Sequence, residues 1–388
     1  MNFKGVRIFD GESVLDPGLD GVVVEQGRIT KLCPGSELPG DAKDLGGLWI
    51  IPGLIDAHVH LCLDPSISDP LSHLTDPALL MSAMAERASA MVKAGITAAR
   101  DLGGGNFVEL ALRDRINRGE MPGPRLLCAG QPVTSTGGHC HFWGGEAADL
   151  EAARVVIERQ VEHGVDLIKV MATGGNITPG SKPADSQFDL ATLTAIVAAA
   201  KDCGHAVAAH CHGTEGIGFA AAAGVTTIEH CSWAGAAGWG LNYDAAAVEE
   251  MVRQGTWVSP TINSGWRRHA PGSDREKLLN KNFARLTDAG VRLIASTDAG
   301  IPNVFHHHLP LALPLFARLA GISNEAVLVA ATSDCARALG LAGHGLIREG
   351  CAADMVFVDG DPLADLGRLA TPAQVMCRGE LQLSGVLT

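Results

Sequence analysis

The stretch I-I-P-G-L-I-D-A-H-V-H, Ile50 to His60, begins with apolar residues and ends in two histidines separated by one valine. Its composition predicts a buried β-strand. Side chains on a strand alternate between its two faces, so His58 and His60 project from the same face and can reach one metal ion at the end of the strand. Two histidines that only form hydrogen bonds at a strand end are the alternative interpretation.

Seven further apolar runs follow this stretch and alternate with longer, alanine-rich segments. The eight predicted strands cover residues 50–60, 96–102, 125–130, 166–172, 205–211, 226–231, 256–262 and 291–298. Predicted helices include 150–162, 191–203, 245–254 and 275–289, and glycines suited to helix C-caps stand at Gly95, Gly164, Gly204, Gly224, Gly255 and Gly290. Eight strand and helix units predict an α/β fold, a closed (β/α)8 barrel of the TIM type.

The two ends of the chain show short β-like runs with turn signals such as Asp16-Pro17-Gly18. Predicted strands there cover residues 6–9, 21–24, 28–32, 353–358 and 374–378. We therefore predict that residues 1–52 and 345–388 pair into one small β-sandwich domain, and that residues 53–344 form the barrel. A length of 388 residues fits one barrel of about 250 residues with a smaller appendage.

The composition narrows the expected partners and location. With 46% hydrophobic and 19% charged residues the chain can bury a large core, and its net charge of −13 gives no basic surface for a nucleic acid or an anionic membrane. The chain contains no long apolar segment and no signal-peptide pattern, which predicts a cytoplasmic protein, and ten cysteines without a C-x-x-C pair predict reduced thiols. A small molecule is the expected substrate, and a homo-oligomer remains open.

Active sites of such barrels lie at the carboxyl ends of the strands, which makes Lys169, His210, His230 and Asp298 candidate site residues beside the first two histidines. His210 and His230 can each bind a second ion, and His212 has the same strand parity as His210 and competes for that role. Asp298 can take a proton from water and return it to a leaving group, so it is the predicted general base. A helix N-cap is the alternative role for Asp298.

Lys169 shares a strand face with Leu167 and Met171, which predicts an ammonium group inside the barrel. Burial disfavours the charged form and frees the amine, which can react with carbon dioxide to give a carbamate. The carbamate oxygens can bridge two cations. A lysine that extends to solvent, or a salt bridge to Asp166, is the alternative.

Five motifs occur in a fixed order: P-G-L-I-D-A-H-V-H (52–60), G-V-D-L-I-K-V-M-A-T-G-G (164–175), A-A-H-C-H-G (208–213), I-E-H (228–230) and S-T-D-A-G (296–300). With these motifs the chain resembles the amidohydrolase superfamily over nearly its whole length. It is most similar to the branch of imidazolonepropionase-related, prolidase-like and ochratoxinase-like metal-dependent hydrolases.

For that branch the resemblance implies two divalent ions, usually zinc. It implies His58, His60 and Asp298 on one ion, His210 and His230 on the other, and a carboxylated Lys169 with a hydroxide between them. It also implies hydrolysis of amide-like bonds, often in a peptide or an N-acyl amino acid. His139, in the loop after the third strand, resembles a substrate-contacting position and is a further catalytic candidate.

One segment departs from the pattern of the family. After Asp298 the relatives commonly carry a His-Gly segment and then a glutamate, whereas residues 301–315 contain His306, His307 and His308 and no acidic residue. This difference puts the expected substrate in question and leaves the predicted metal ligands unchanged. We expect the triple histidine to lie in a surface loop.

Four of the six tryptophans follow predicted strands on the active-site face: Trp143, Trp233, Trp239 and Trp266. We hypothesise that they wall a pocket for a bulky or aromatic group, ordinary loop packing being the alternative. Arg267 and Arg268 follow the last of these tryptophans, and their guanidinium groups suit a substrate carboxylate. Solvated surface arginines are the alternative there.

The sequence thus predicts a binuclear metal-dependent hydrolase that cleaves an amide-type bond, in substrates that include bulky or aromatic groups, by attack of a metal-bridging hydroxide. A cyclic amide or lactone hydrolase, or an organophosphate or carbamate hydrolase, can use the same metal centre. A non-catalytic metal-binding scaffold is the alternative from a different class of protein.

Overall fold

The computed structural model describes residues 1–67, 69, 72 and 76–382. Its strands are β1 (Asn2–Lys4), β2 (Arg7–Ile8), β3 (Gly21–Glu25), β4 (Arg28–Cys33), β5 (Lys43–Asp44), β6 (Trp49–Pro52), β7 (Leu54–Val59), β8 (Ile96–Asp101), β9 (Arg125–Cys128), β10 (Thr134–Ser135), β11 (Glu146–Ala147), β12 (Ile168–Met171), β13 (Val207–Gly213), β14 (Thr227–Ala234), β15 (Trp257–Ser259), β16 (Met355–Val358), β17 (Gln374–Cys377) and β18 (Glu380–Gln382). Its α-helices are α1 (Pro77–Lys93), α2 (Val108–Asn117), α3 (Leu150–Glu162), α4 (Leu190–Asp202), α5 (Thr214–Ala223), α6 (Ala245–Gln254), α7 (Asp274–Asp288), α8 (Leu309–Ala320), α9 (Asn324–Ala330) and α10 (Ser333–Ala338). Short 3-10 helices cover Gly35–Glu37, His141–Trp143, Ser264–Arg268 and Leu366–Ala370.

Parallel strands form the barrel in the order of the sequence. β7, β8 and β9 are successive neighbours, and so are β12, β13, β14 and β15. The two groups are joined by backbone hydrogen bonds, from Asp166 N to Cys128 O at 2.9 Å and from Met171 N to Val133 O at 2.8 Å. The strands therefore continue around one ring.

The segment 291–299 closes this ring, but it does not form the regular eighth strand that we predicted over 291–298. Single bridges pair Leu293 with β15 and Ala299 with β7. The amide of Asp298 donates to His58 O at 2.9 Å, and Asp298 itself has a φ of 61°. This left-handed conformation interrupts the pleat. The (β/α)8 barrel is confirmed, with bridges in place of its last strand.

The helices between the strands begin and end at residues that cap them. α3 and α6 have the predicted bounds, and α4 and α7 are each shifted by one residue. Asp149 and Asp244 accept hydrogen bonds from amides in the first turns of α3 and α6, both at 2.9 Å. Gly224 and Gly255 end α5 and α6 with φ values of 74° and 70°. None of the described helices has the length and apolar composition needed to cross a membrane.

Strands from both ends of the chain form a β-sandwich. One sheet has the order β4-β3-β1-β5 and the other β18-β17-β16-β6-β2. Phe3 and Phe357 meet between the sheets with ring centroids 5.4 Å apart. Ile51 and Val356 lie on the other face of the five-stranded sheet and join the core of the barrel. That sheet is therefore covered on both faces, as the two-residue period of a strand allows.

The predicted strand 50–60 divides at Gly53 into β6 in the sandwich and β7 in the barrel. A Cβ atom at Gly53 would lie 2.0 Å from Thr97 Oγ1, so only glycine fits where the chain passes between the two parts. The exact domain limits, 1–52, 53–344 and 345–388, stay a prediction. Residues 383–388 of the last range lie outside the described residues.

Replacement of Phe357 by alanine is expected to lower the free energy of unfolding by about 3–5 kcal/mol, because it removes a buried ring from the sandwich core. Urea denaturation measures this loss. The control is Leu381→Ala, at a side chain that is 38% exposed, where a change within about 0.5 kcal/mol is expected. Equal losses in both variants would contradict the core position of Phe357.

Candidate active site

A cavity of about 790 Å³ opens at the carboxyl ends of the barrel strands. All the predicted metal ligands line it: His58, His60, Lys169, His210, His230 and Asp298. The predicted substrate contacts His139, Trp143 and Trp266 line it too, whereas Arg267 is exposed and does not. The structure thus brings the strand-end residues together, and their roles stay predictions.

Donor atoms of His58, His60 and Asp298 converge at one side of the cavity. The two Nε2 atoms lie 3.3 Å apart, and Asp298 Oδ1 lies 3.2 Å from the first and 3.5 Å from the second. His58 Nδ1 donates to Glu229 Oε2 and His60 Nδ1 donates to Gly103 O, both at 2.9 Å. These acceptors hold no proton, so each ring presents a bare lone pair at Nε2. Facing lone pairs cannot bond to each other, and a cation between them fits this donor set.

His210 and His230 form a second pair of donors. His210 Nδ1 lies 3.0 Å from His230 Nε2. His210 Nε2 donates to Gly174 O at 3.0 Å, which leaves its Nδ1 without a proton. Burial, and after it the neighbouring histidines, lower the pKa of both rings well below the usual value. Neutral imidazoles held by a carbonyl group are suited to metal binding.

His212, the alternative ligand, also lines the cavity. Its ring stacks on that of His230 with centroids 4.4 Å apart, and its Nδ1 lies 2.9 Å from Ser232 Oγ. Donor atoms of His210, His212 and His230 all lie within 4.8 Å of one another, as do those of His58, His230 and Asp298. Two adjacent groups that can hold a metal ion therefore share His230, and the choice between His210 and His212 stays open.

Lys169 is buried on β12, and its Nζ atom has no hydrogen-bond partner among the described residues. Burial lowers the pKa of Lys169 to about 8, although the charges of Glu229 and Asp298 oppose the shift. The alternative salt bridge to Asp166 is absent, because that carboxylate pairs with Arg113 at 2.7 Å. A buried polar atom without a partner is destabilising, so this amine fits a covalently modified or ligand-bound state.

Glu229 is a buried carboxylate that the sequence analysis did not single out. It accepts a hydrogen bond from Arg100 Nη2 at 2.7 Å through Oε1 and one from His58 through Oε2. Burial raises the pKa of Glu229, but the charge of Arg100 and the hydrogen bond from His58 outweigh burial and hold it below the usual range. Arg100 Nε also donates to Ala57 O at 2.7 Å. The pair thus joins β7, β8 and β14 across the barrel interior.

The backbone at the strand ends explains why strand parity missed Glu229. Neighbouring residues on a regular strand point to opposite faces, yet Glu229 and His230 both point into the barrel. His230 has a φ of 69°, and Thr261 and Asp298 have φ values of 53° and 61°. Residues other than glycine rarely adopt this conformation, and such strain clusters at functional sites. Here the bend turns His230 toward His210.

His139 lies beside the second pair of donors, with its ring 4.6 Å from that of His210. Thr178 Oγ1 accepts a hydrogen bond from Cys140 N at 2.8 Å and lies 3.1 Å from His139 Nδ1. Thr178 Oγ1 can donate to Nδ1, and in that tautomer the ring carries its own proton on Nε2. Burial lowers the pKa of His139 to about 3, and the ring is neutral at pH 7.

Three of the four tryptophans expected near the site line the cavity: Trp143, Trp239 and Trp266. The ring of Trp143 lies 5.3 Å from that of His60, and the ring of Trp239 lies 5.0 Å from that of His212. Trp233 is buried and does not line the cavity. The four-indole pocket is therefore corrected to three indoles, since Trp233 packs into the protein core.

The expectation that the triple histidine lies in a surface loop is wrong for His306, while His307 and His308 lie in a loop and are partly exposed. His306 is buried, and its Nε2 donates to His60 O at 3.0 Å. His307 and His308 are half-buried, and His308 Nδ1 lies 3.3 Å from Ser264 Oγ. The segment supports the backbone of a candidate metal ligand, because His60 O accepts this bond in addition to one from Leu63 N at 3.1 Å.

A model of the amidohydrolase family matches residues 49–381 of the chain. The chain is 27% identical over 363 residues to ochratoxinase from Aspergillus niger, covering 84% of this chain and 73% of that protein. It is 25% identical over 394 residues to imidazolonepropionase from Cupriavidus pinatubonensis, covering 91% and 84%. A crystal structure of a Xaa-Pro dipeptidase with bound methionine in the active site superimposes with a TM-score of 0.84 and 25% identity, over 98% of this chain and 99% of that chain.

Glu229→Gln is expected to destabilise the protein by about 3–5 kcal/mol, because it leaves the charge of Arg100 buried without a partner. Because the pKa of Glu229 is lower in the folded state, its stabilisation is present above the unfolded pKa and is lost as the pH falls below it. Chemical denaturation at pH 7 and at acidic pH measures both effects. Glu250→Gln, which removes the exposed pair with Arg253, is the control, with an expected loss below about 1 kcal/mol. A pH-independent difference between the two variants would contradict this role of Glu229.

Proposed function

Because the chain belongs to the amidohydrolase family, we propose that it is a binuclear hydrolase that cleaves the amide bond of a peptide or an N-acyl amino acid. The resemblance expected from the sequence is confirmed, and the chain is a hydrolase of carbon–nitrogen bonds in a metal-dependent family. The observation that carries the binuclear proposal is the convergence of histidine nitrogens and the Asp298 carboxylate in two adjacent groups. A non-catalytic scaffold is set aside on the ground of family membership.

In this proposal His58, His60 and Asp298 hold one divalent ion, and His210 and His230 hold the other. Imidazole nitrogens and carboxylate oxygens at tetrahedral or five-coordinate sites suit zinc. When bound, the two ions polarise a carbonyl group and make water acidic enough to act as a nucleophile at neutral pH. Glu229 and Gly103 O hold the two histidines of the first group in the tautomer that this requires.

Lys169 supplies the bridging ligand in its carboxylated form. Its neutral amine attacks carbon dioxide, a C–N bond forms, one proton is released to solvent, and a carbamate anion remains. The lowered pKa, about 8, makes a useful fraction of the amine available near neutral pH. Carboxylation converts the buried Lys169 amine, which has no hydrogen-bond partner among the described residues, into a carbamate. The carbamate places two oxygen donors between the histidine groups.

Asp298 moves the proton of the reaction. Its Oδ1 faces His58 and His60, which leaves Oδ2 to take the proton of the attacking water and deliver it to the departing nitrogen. Its pKa is held well below the ordinary value, against the effect of burial, by the neighbouring histidines, so it begins the reaction as a base. The left-handed backbone at this residue fixes the carboxylate at the cavity.

His139 polarises the carbonyl group of the substrate. The ring is neutral, and in the tautomer in which Thr178 donates to Nδ1 its Nε2–H can donate a hydrogen bond to the carbonyl oxygen as negative charge develops there. Trp143 and Trp266 line the same cavity and suit a bulky or aromatic substituent. A small molecule is the substrate class, and a cytoplasmic location, a lack of nucleic-acid partners and any homo-oligomer stay predictions.

Metal analysis tests the binuclear centre. Protein expressed with zinc and purified without chelator is expected to hold two equivalents per chain, and Lys169→Ala at most one, because the bridging ligand is lost. Asp298→Asn should retain most of the metal while turnover of dipeptides and N-acyl amino acids falls by about 10²–10⁴-fold. Lys93→Ala, at an exposed residue that ends α1, is the matched control for the lysine variant. One equivalent in the wild type, or an unmodified Lys169 in a crystal structure, would contradict the bridge.

Gly175→Ala tests the position of His139. A Cβ atom at Gly175 would lie 2.3 Å from His139 Nε2, so the ring must move. We expect kcat/KM to fall on the order of 10²-fold with the fold retained, because a displacement of this size misplaces a contact made in the transition state. Gly218→Ala on α5, where the added atom meets only Ala247 Cβ at 3.9 Å, is the control and should keep full activity. Full activity in both variants would contradict the proposed role of His139 in the reaction.

A further inference from the structure

Two arginines line the cavity in addition to the residues discussed above. Arg268 ends the 3-10 helix Ser264–Arg268, and Arg275 lies in the first turn of α7. Arg268 Nη1 donates to Gly265 O at 3.3 Å, and Arg275 Nη1 donates to Trp239 O at 2.7 Å. These bonds use one N–H of each guanidinium, so the others remain available to a ligand.

The acidic residues nearest in sequence to these arginines are already paired elsewhere. Asp274 lies 3.6 Å from Lys277 and Glu276 lies 3.4 Å from Arg318. Among the described residues that line the cavity, Asp298 is the one carboxylate, and it faces His58 and His60. Neither arginine therefore has an anionic partner in the described part of the chain.

The two positive charges are close enough to act on each other. Burial, and then the charge of Arg268, lower the pKa of Arg275 below its usual value. Arg275 is tied to the carbonyl of Trp239, whose ring packs against His212 beside the candidate metal centre. Arg275 is half-buried and Arg268 is exposed, so an anion bound between them would offset the partial desolvation of Arg275.

We propose that Arg268 and Arg275 together bind the free carboxylate of the amino acid that leaves during hydrolysis, with its side chain beside Trp239 and Trp266. A guanidinium binds a carboxylate through two parallel N–H donors, and such charge-assisted bonds are strong where water is excluded. The inference rests on the proposed function and narrows it to substrates that are acids. It replaces Arg267, which lies on the same 3-10 helix but does not line the cavity, as the carboxylate-binding residue.

The test compares acids with their uncharged carboxamides on the zinc-loaded, full-length enzyme. The probes are glycyl-L-phenylalanine, N-acetyl-L-phenylalanine and the carboxamide of each. In the wild type kcat/KM should favour each acid by roughly 10–100-fold, as expected for hydrogen bonds to a charged group. In Arg268→Gln and Arg275→Gln the preference for the acid should fall to about 1, mainly through a higher KM for the acids. Arg275→Lys should keep part of the preference, which separates loss of charge from loss of fold.

Arg267→Gln is the matched comparison, because this arginine is exposed, as Arg268 is, but does not line the cavity. The preference for acids should be the same in this variant as in the wild type. Equal hydrolysis of acids and amides by the wild type, or loss of the preference in Arg267→Gln alone, would overturn the assignment.

A binding measurement separates failure of this inference from failure of the proposed function. If the wild type hydrolyses none of the probes, calorimetric titration with N-acetyl-L-phenylalanine and its carboxamide still tests the arginines. Binding of the acid that is lost in Arg268→Gln and Arg275→Gln supports the carboxylate site while the proposed reaction fails. Absence of binding, or binding that both variants retain, overturns the site as well.

Discussion

The ion pair between Arg100 and Glu229 orders the centre of the barrel. Its two side chains are buried, its N–O distance is 2.7 Å, and its remaining hydrogen bonds reach Ala57 O, Thr227 Oγ1 and His58 Nδ1. A charged pair in such surroundings is stable only when nearly all of its donors and acceptors are used. The same bonds that meet this condition set the proton position on His58. The proton position on His58, at the barrel mouth, therefore depends on the Arg100–Glu229 ion pair in the barrel interior.

Much of the site could be predicted because it follows from a simple regularity. Strand ends in a parallel barrel meet at one face, so the type of the last polar residue on each apolar run was enough to place His58, Lys169, His210 and Asp298 around one cavity. A separate rule predicted the helix ends at Gly224 and Gly255, because a helix C-cap favours a left-handed residue and this requirement is local.

The site residues that were not predicted are placed by backbone bends and by contacts between distant parts of the chain. Short sequence patterns do not reveal either feature. Glu229 was overlooked because the two-residue period of a strand fails at the left-handed His230. His306 looked like part of a polar loop because its acceptor, His60 O, is 246 residues away in sequence. Arg267 and Arg268 are neighbours on a 3-10 helix, whose residues point about 120° apart at three per turn, and only the fold shows which of them faces the cavity.

The pairing of β6 with β16 has a consequence for how the chain is made. Ile51 and Pro52 of β6 lie opposite Val356 and Met355 of β16, about 300 residues further along the chain. At a synthesis rate of roughly 5–20 residues per second, β6 leaves the ribosome some tens of seconds before its partner exists. During that interval its apolar edge is exposed to other nascent chains. The barrel can fold first, and the β-sandwich can be completed only after its C-terminal strands have been synthesised.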